Sequence, residues 1–373
     1  MSSIREHLES RERQLLSRYA RLSAETEGRA RPEPEDDLRT AFQRDRDRIL
    51  HAKSFRRLAH KTQVFLAPEG DHYRTRITHT FEVTQVARTM ARALGLNEDL
   101  TEAMAMGHDL GHTPFGHAGE FVLARLVPGG FHHARQSVRV VEQLEREGGG
   151  LNLTREVREG ILKHSKGRGP IFTEGPHLAA TLEGQIVRVA DIIAYANHDL
   201  DDALRARLVA PDDIPVAIRE TLGETHGERL RTLILAVIAA SPGGLPAESG
   251  ASQGDEGRRG PGPEVGEAGA RPRIRMQEEV LAALVALRDF LYQRVYEARV
   301  VREEFEKAQR ILEELWGHFH QHPDEFRARY WLRGTREEEG LDRAVTDFIA
   351  GMTDRYALRL YEELRLPRRW SIY

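Results

Sequence analysis

Apolar residues recur along this chain mostly at intervals of three and four, the period of a helix that buries one face. Between residues 3 and 24, Ile4, Leu8, Leu15, Leu16, Tyr19 and Leu22 keep that spacing and predict a helix with one buried stripe. The stretch "GRARPEPEDD" (28–37) then reads as a charged, proline-containing loop. From Leu38 onward helical stretches alternate with short breaks at "APEGD", "LNED", "TPFG", "VPGG", "EGGGLN" and "GRGP". Strand signals are few, and neither a Rossmann nor a P-loop unit nor an internal repeat is present in the pattern. The expected fold class is all-α.

One segment interrupts the periodicity. "SPGGLPAESGASQGDEGRRGPGPEVGEAGARP" (241–272) holds almost nothing to bury and predicts a flexible excursion. Beyond it Val280, Leu284, Leu287, Leu291 and Val295 resume a helical stripe, with further helices to about Leu364. The expected organisation is an N-terminal helix and loop (1–37), a helical core (38–240), the insertion (241–272) and a C-terminal helical region (273–373). Deleting the insertion is expected to spare the site chemistry described next.

Composition narrows the function classes. The 373 residues are 40% hydrophobic and 31% charged, enough apolar material for a large core. With 55 basic and 59 acidic residues the formal charge is −4, so no global basic footprint argues for nucleic acid or membrane, although a local basic pocket leaves nucleic-acid binding open. The absence of cysteine removes disulfides, thiolate metal sites and a cysteine nucleophile. The start "MSSIREHLESRERQLL" is too charged for a signal peptide, and no apolar run approaches a membrane span of ~18 residues. A cytoplasmic protein is expected.

The candidate chemistry is concentrated in "GHDLGHTPFGHAGE" (107–120), which packs three histidines, an aspartate and a glutamate into fourteen positions. Imidazole and carboxylate suit a divalent cation of hard or borderline character, and the His108–Asp109 doublet supplies two adjacent donors at a helix end. His79 precedes Val83, Val86 and Met90 at +4, +7 and +11, on the face that a helix would bury. Asp191 lies within an apolar helical run, with Tyr195, His198 and Asp199 at +4, +7 and +8. A carboxylate on an inward face needs a cation or a hydrogen-bond network.

The order H…HD…D, together with "FQRDRDRILHAKSFRRLAHKTQVF" (42–65), "HYRTRITHTFEVTQVARTMARALGLNEDLTEAMAMGHDLGHTPFGHAGE" (72–120), "GLNLTREVREGILKH" (150–164) and "VRVADIIAYANHDLDDALRA" (187–206), resembles the bacterial deoxyguanosinetriphosphate triphosphohydrolase-like proteins of the HD-domain phosphohydrolase superfamily. The likeness is dense over residues 1–235 and looser beyond. It implies an HD-domain helical fold whose metal ligands are His79, His108, Asp109 and Asp191. Mg²⁺ or Mn²⁺ is the expected ion, and ligand type alone is also compatible with Zn²⁺, iron, Co²⁺ or Ni²⁺. The implied reaction is hydrolysis of a dNTP at the α-phosphorus to a deoxynucleoside and inorganic triphosphate.

By the same resemblance His117 and Glu120 form the catalytic pair, with the direction of proton transfer through His117 left open. His112 either positions water or fixes the turn at Pro114. His133 matches a family segment usually written GFEHN; here it reads "GFHHARQS", and the missing glutamate leaves His133 without that acid–base partner. Arg57, Gln63, Arg76 and Lys166 are the expected phosphate or substrate contacts, and Tyr195 and Asp199 the residues that meet the deoxyribose. The resemblance further implies a homo-oligomer, expected as a hexamer, and activation by a dNTP at a regulatory site. Base preference is not legible. Two other readings remain: an HD phosphohydrolase for another nucleotide phosphoester, and a non-enzymatic nucleotide-sensing or nucleic-acid-binding module.

Overall fold

The computed structural model describes residues 3–63, 74–165, 169–172, 175–242 and 272–367. Among the described residues there are sixteen α-helices and no strand, only the isolated bridges Arg29–Thr154 and Thr62–Thr75. The all-α expectation is borne out. The chain forms two compact units that are each discontinuous in sequence: Met1–Asp47 with Phe81–Met106 and Leu153–Arg294, and Arg48–Thr80 with Gly107–Asn152 and Val295–Tyr373.

The first unit is built around the helix Leu182–Arg205. Nearly every side chain on it is buried, because the helices Arg155–Lys163, His226–Ala240 and Glu278–Leu291 all pack against it. Its approach to its neighbours depends on small residues. A Cβ on Gly160 would lie 2.3 Å from Met104 Sδ, so only glycine lets the two segments touch. Val280, Leu284, Leu287, Leu291 and Val295 are all buried, as their spacing predicts. Residues 243–271, most of the expected flexible insertion, lie outside the described residues. Its flanks meet, with Ser241 Oγ bonded to the backbone N and O of Arg275 at 3.1 and 3.2 Å.

The start of the chain departs from expectation. The first helix covers only Ile4–Leu15, and Ile4 and Leu15 are 58% and 70% exposed while Glu9 is buried. A Ser3–Glu6 capping box sets its beginning. Its end comes where Ser17 N donates to Gly95 O and Glu12 binds Ser23 N and Oγ, drawing Leu16–Leu22 off the helical path. Local hydrogen bonds here outweigh apolar spacing.

In the second unit the helices His117–Leu126, Arg299–Gln321, Gly340–Gly351 and Asp354–Arg365 share one core, centred on Val122, Leu123, Leu312, Leu315, Phe319 and Val345. Beside it a fully buried Asp347 accepts from Gln136, Arg139, Thr335 and Arg343, so its charge is neutralised and its lone pairs are used.

Candidate metal and phosphate site

His79 is presented by the first turn of the helix Arg76–Ala93. Arg76 and His79, three residues apart, are both buried, so they share the inward face that their spacing implies. The helix start is fixed from behind: Arg76 N donates to Lys61 O at 3.0 Å, and Thr62 bridges to Thr75. The doublet arrives differently. The helix Glu98–Gly107 ends on Gly107, and His108 and Asp109 occupy the turn that follows, so the helix does not continue to His112. Ser137 Oγ donates to His108 O at 2.7 Å and accepts from Gly111 N at 2.9 Å. A Cβ on Gly111 would stand 2.2 Å from Ser137 N, which explains the glycine directly after "HDL".

These segments bring His79, His108 and Asp109 together. One donor atom from each lies within 4.8 Å of the others, and all three residues are buried. The imidazole rings of His79 and His108 meet edge to face at 5.4 Å. Burial pushes the Asp109 carboxyl up, but His108, Arg76, His112 and His133 overcome this and hold it well below the usual carboxylate range. Two imidazoles and an ionised carboxylate fit a divalent cation by donor chemistry. Arg76 Nη1 donates to Asp109 Oδ2, while its Nε and Nη2 are buried without a hydrogen-bond partner among the described residues, as is Gln63 Oε1.

Three cationic side chains of this unit gather here. Lys61 is fully buried; its Nζ donates to His112 O and to Ala350 O at 2.8 Å. Burial, and then the nearby charge of Arg57, push the lysine well below its ordinary range; Asp354 opposes them and Arg76 adds to the lowering. Burial also lowers Arg57, against the pull of Glu145, whose carboxylate already accepts from the backbone of Lys53 and Ser54. A desolvated cradle of basic side chains is therefore built from Arg57, Lys61 and Arg76. A Cβ on Gly116 would stand 3.0 Å from Gln63 O, so glycine lets this loop lie close against the Thr62–Gln63 backbone.

The turn Thr113–Gly116 carries positive φ at both Phe115 (59°) and Gly116 (56°), an unusual conformation for phenylalanine. Asp354 stabilises it by accepting from Phe115 N at 2.9 Å and Thr62 N at 2.8 Å. Directly after it the helix His117–Leu126 begins, which puts Glu120 one turn in. Glu120 Oε1 accepts from His133 N at 2.9 Å and lies 2.8 Å from His133 Nδ1; Oε2 is 3.9 Å from both His112 Nε2 and His117 Nδ1. Burial raises this carboxyl, yet His133, His117 and His112 win and keep it ionised far below its normal range. Glu120 in turn raises His133 against burial. His112 is driven well below its ordinary value by burial and then by Arg76. His117 is 71% exposed in its side chain. The carboxylate that the sequence lacks beside His133 is thus supplied by Glu120.

The remaining candidates lie in the first unit. Asp191 and Tyr195 sit one turn apart on Leu182–Arg205, both partly exposed rather than fully inward, and Asp191 faces Arg188. Burial, with the Asp191 charge, raises the Tyr195 phenol, so it is a neutral hydroxyl. Asp199 is buried, with an oxygen 2.7 Å from His198 Nδ1. Lys166 lies outside the described residues. Sequence reasoning missed Lys61 and Asp354. Lys61 sits inside "RRLAHKTQVF", whose basic run resembles an exposed face, and Asp354 follows the helix-capping Thr353, an ordinary place for a carboxylate.

A helical fold with an H…HD cluster is the signature of a class of metal-dependent phosphohydrolases, and the HD-domain family model matches residues 76–196. A second model, the phosphohydrolase-associated domain, matches 274–363. The chain is 50% identical to a deoxyguanosinetriphosphate triphosphohydrolase-like protein of Caldanaerobacter subterraneus over 98% of its own length and 97% of the relative's. It is 48% identical to one of Desulfatibacillum aliphaticivorans, covering 98% and 99%, and 44% identical to one of Deinococcus radiodurans, covering 97% and 99%. The chain belongs to the family of deoxyguanosinetriphosphate triphosphohydrolase-like proteins.

Proposed function

We propose that this protein hydrolyses deoxynucleoside triphosphates at the α-phosphorus, releasing the deoxynucleoside and intact inorganic triphosphate. The observation that carries the reading is the buried cradle of basic side chains, Arg57, Lys61 and Arg76, beside His79, His108 and Asp109. A polyanion with several phosphate charges is the ligand that compensates such a cradle. His79, His108 and Asp109 would hold the divalent ion, Mg²⁺ or Mn²⁺; for Asp191 as fourth ligand the support is the family resemblance. When bound, the ion supplies Lewis-acid polarisation of a phosphate oxygen and lowers the pKa of water.

The chain's own groups then carry the protons. Water adds its oxygen to the α-phosphorus and its proton passes by way of the Glu120 carboxylate to the imidazoles packed against it, His133 at 2.8 Å and His117 at 3.9 Å. The bond from phosphorus to the 5′ oxygen breaks, and that oxygen takes a proton from His117, the exposed member of the pair. The contact between Glu120 and His117 at 3.9 Å lets the proton return through the solvent-facing ring. His112 and His133 flank Glu120 and fix its orientation.

Sugar selection is assigned to Tyr195 and Asp199, whose neutral phenol and carboxylate suit a deoxyribose lacking the 2′-hydroxyl and offering its 3′-hydroxyl. Gln63 is a further substrate contact on the same resemblance and Lys166 a phosphate candidate by its charge; the resemblance also supports a homo-oligomer, a hexamer, activated by a dNTP.

Anion-exchange analysis of products tests the reading, with Mn²⁺ or Mg²⁺ and dNTPs given singly and as an equimolar mixture. Deoxynucleoside plus intact triphosphate, lost in Asp109→Ala and reduced in Arg57→Ala, is expected. Consumption of no dNTP in any combination would overturn it and favour another phosphoester.

A further inference from the structure

The turn that carries the His108–Asp109 doublet is closed by a side chain from another segment. His108 O and Gly111 N belong to the first and last residues of the stretch 108–111, and are the two groups that a β-turn joins directly. Here the Ser137 hydroxyl stands between them, donating to His108 O at 2.7 Å and accepting from Gly111 N at 2.9 Å. Ser137 is fully buried, and His108, Asp109 and Gly111 are buried with it. The backbone around Ser137 lies so near the turn that a Cβ on Gly111 would stand 2.3 Å from Gln136 C. The short helix His133–Arg139 that presents this serine is itself fixed at both ends. His133 N donates to Glu120 Oε1 at 2.9 Å, while Gln136 Nε2 and Arg139 Nε donate to the buried Asp347 Oδ1, each at 2.9 Å.

We propose that Ser137 is a positioning residue for the metal centre: by bridging the 108–111 turn through its hydroxyl, it sets the aim of His108 and Asp109 toward the ion they would share with His79. The proposal rests on that metal assignment and on no choice of substrate. Without the hydroxyl, His108 O and Gly111 N are left buried and unpaired, or the turn contracts until they bond to each other. The first outcome loosens the turn and the second rotates it. Either one moves the two donor side chains that the turn carries, and a ligand constellation tolerates only about 0.5 Å of such displacement. The cost therefore falls on metal affinity, for which an outer partner of this kind is worth roughly 10–100-fold. Because the same helix holds Glu120 through His133 and is tied to Asp347 behind, the serine is itself held in place from both sides.

Mn²⁺ is the probe. The full-length chain is stripped with a chelator and titrated with Mn²⁺, the free ion being counted by electron paramagnetic resonance. Ser137→Ala should bind Mn²⁺ roughly 10–100-fold more weakly than the wild type, and Ser137→Thr, which keeps the hydroxyl, should recover most of that loss. Val345→Ala controls for stability alone: it removes buried packing from the core of the same unit and no hydrogen bond to the turn. Its thermal midpoint should fall while its Mn²⁺ affinity stays at the wild-type value. Equal affinity in Ser137→Ala and wild type would overturn the proposal, and so would an equal loss in Val345→Ala. Asp109→Ala removes a donor and should abolish this binding. Wild-type binding in Asp109→Ala would overturn the metal assignment itself, whereas loss in Asp109→Ala with none in Ser137→Ala would overturn only the role of the serine.

Discussion

The carboxyl of Glu183 makes the stability of this protein depend on pH in an unusual direction. It lies in the first turn of the helix Leu182–Arg205, fully buried. Its Oε1 accepts from Arg21 N and Asn97 N, both at 3.0 Å, while Oε2 is buried with no hydrogen-bond partner among the described residues. Burial dominates these bonds and the Arg21 charge and lifts the group from 4.5 to about 7. A raised carboxyl binds its proton more tightly in the folded state, so its contribution is intact below pH 4.5 and lost as pH rises through about 7. At ~1.4 kcal/mol per pH unit the full loss is about 3 kcal/mol. Glu183→Gln cannot ionise and keeps the Oε1 acceptor, so its stability lacks this term. Urea unfolding of wild type and variant, followed by far-ultraviolet circular dichroism at pH 5, 6, 7 and 8, isolates it, because every other titrating group cancels in the difference. The variant should gain on the wild type by about 2–3 kcal/mol between pH 5 and 8, nearly all of it between pH 5 and 7. A difference that is flat across the window would refute the reasoning.

Lys61→Met should lower turnover by about tenfold or more while leaving bound metal unchanged, because it removes a cation from the cradle but no metal donor; equal turnover would remove Lys61 from the site. Asp354→Ala frees the backbone N–H groups of Phe115 and Thr62 and should destabilise the protein by about 2–4 kcal/mol, read as a fall in the thermal midpoint. Gly111→Ala forces a Cβ against Ser137 N; it should cost about 3 kcal/mol or more and yield little soluble protein, whereas Gly129→Ala, a strained but open position, should still express. Asp347→Ala leaves Arg139 and Arg343 without their shared buried partner and should cost about 3–5 kcal/mol in urea unfolding.

What the sequence discloses and what it hides separate along physical lines. His79 was legible because its neighbours at +4, +7 and +11 are apolar and helix geometry turns that pattern into burial. The doublet is weak evidence by itself, and only the H…HD…D order with the family resemblance of the surrounding segments makes it a site candidate. The first helix was misjudged because six apolar residues at helical spacing do not register the capping box at Ser3 or the Glu12–Ser23 bonds that redirect the chain after Leu15. Asp191 was expected to face fully inward and is partly exposed, since one polar residue in an apolar run leaves its angle on the helix undetermined to within a fraction of a turn.

The partner of His133 shows the same limit at the site itself. In sequence the residue before it is histidine where glutamate is usual, and a reading confined to adjacent positions finds no carboxylate. The fold brings one from thirteen residues upstream, because the chain turns at Val127–Gly130, with positive φ at Gly129 and Gly130, and the start of the next helix comes back onto Glu120 in the helix His117–Leu126. Lys61 is the converse case: it looks like one more basic residue in an exposed run, and only the chain path places it under the carbonyls of His112 and Ala350. Local pattern therefore reports donors whose burial is periodic, while the charges that tune them come from segments far away in sequence. A substitution at Lys61 or Asp354 should then alter the chemistry of the H…HD cluster without touching any residue of its motif.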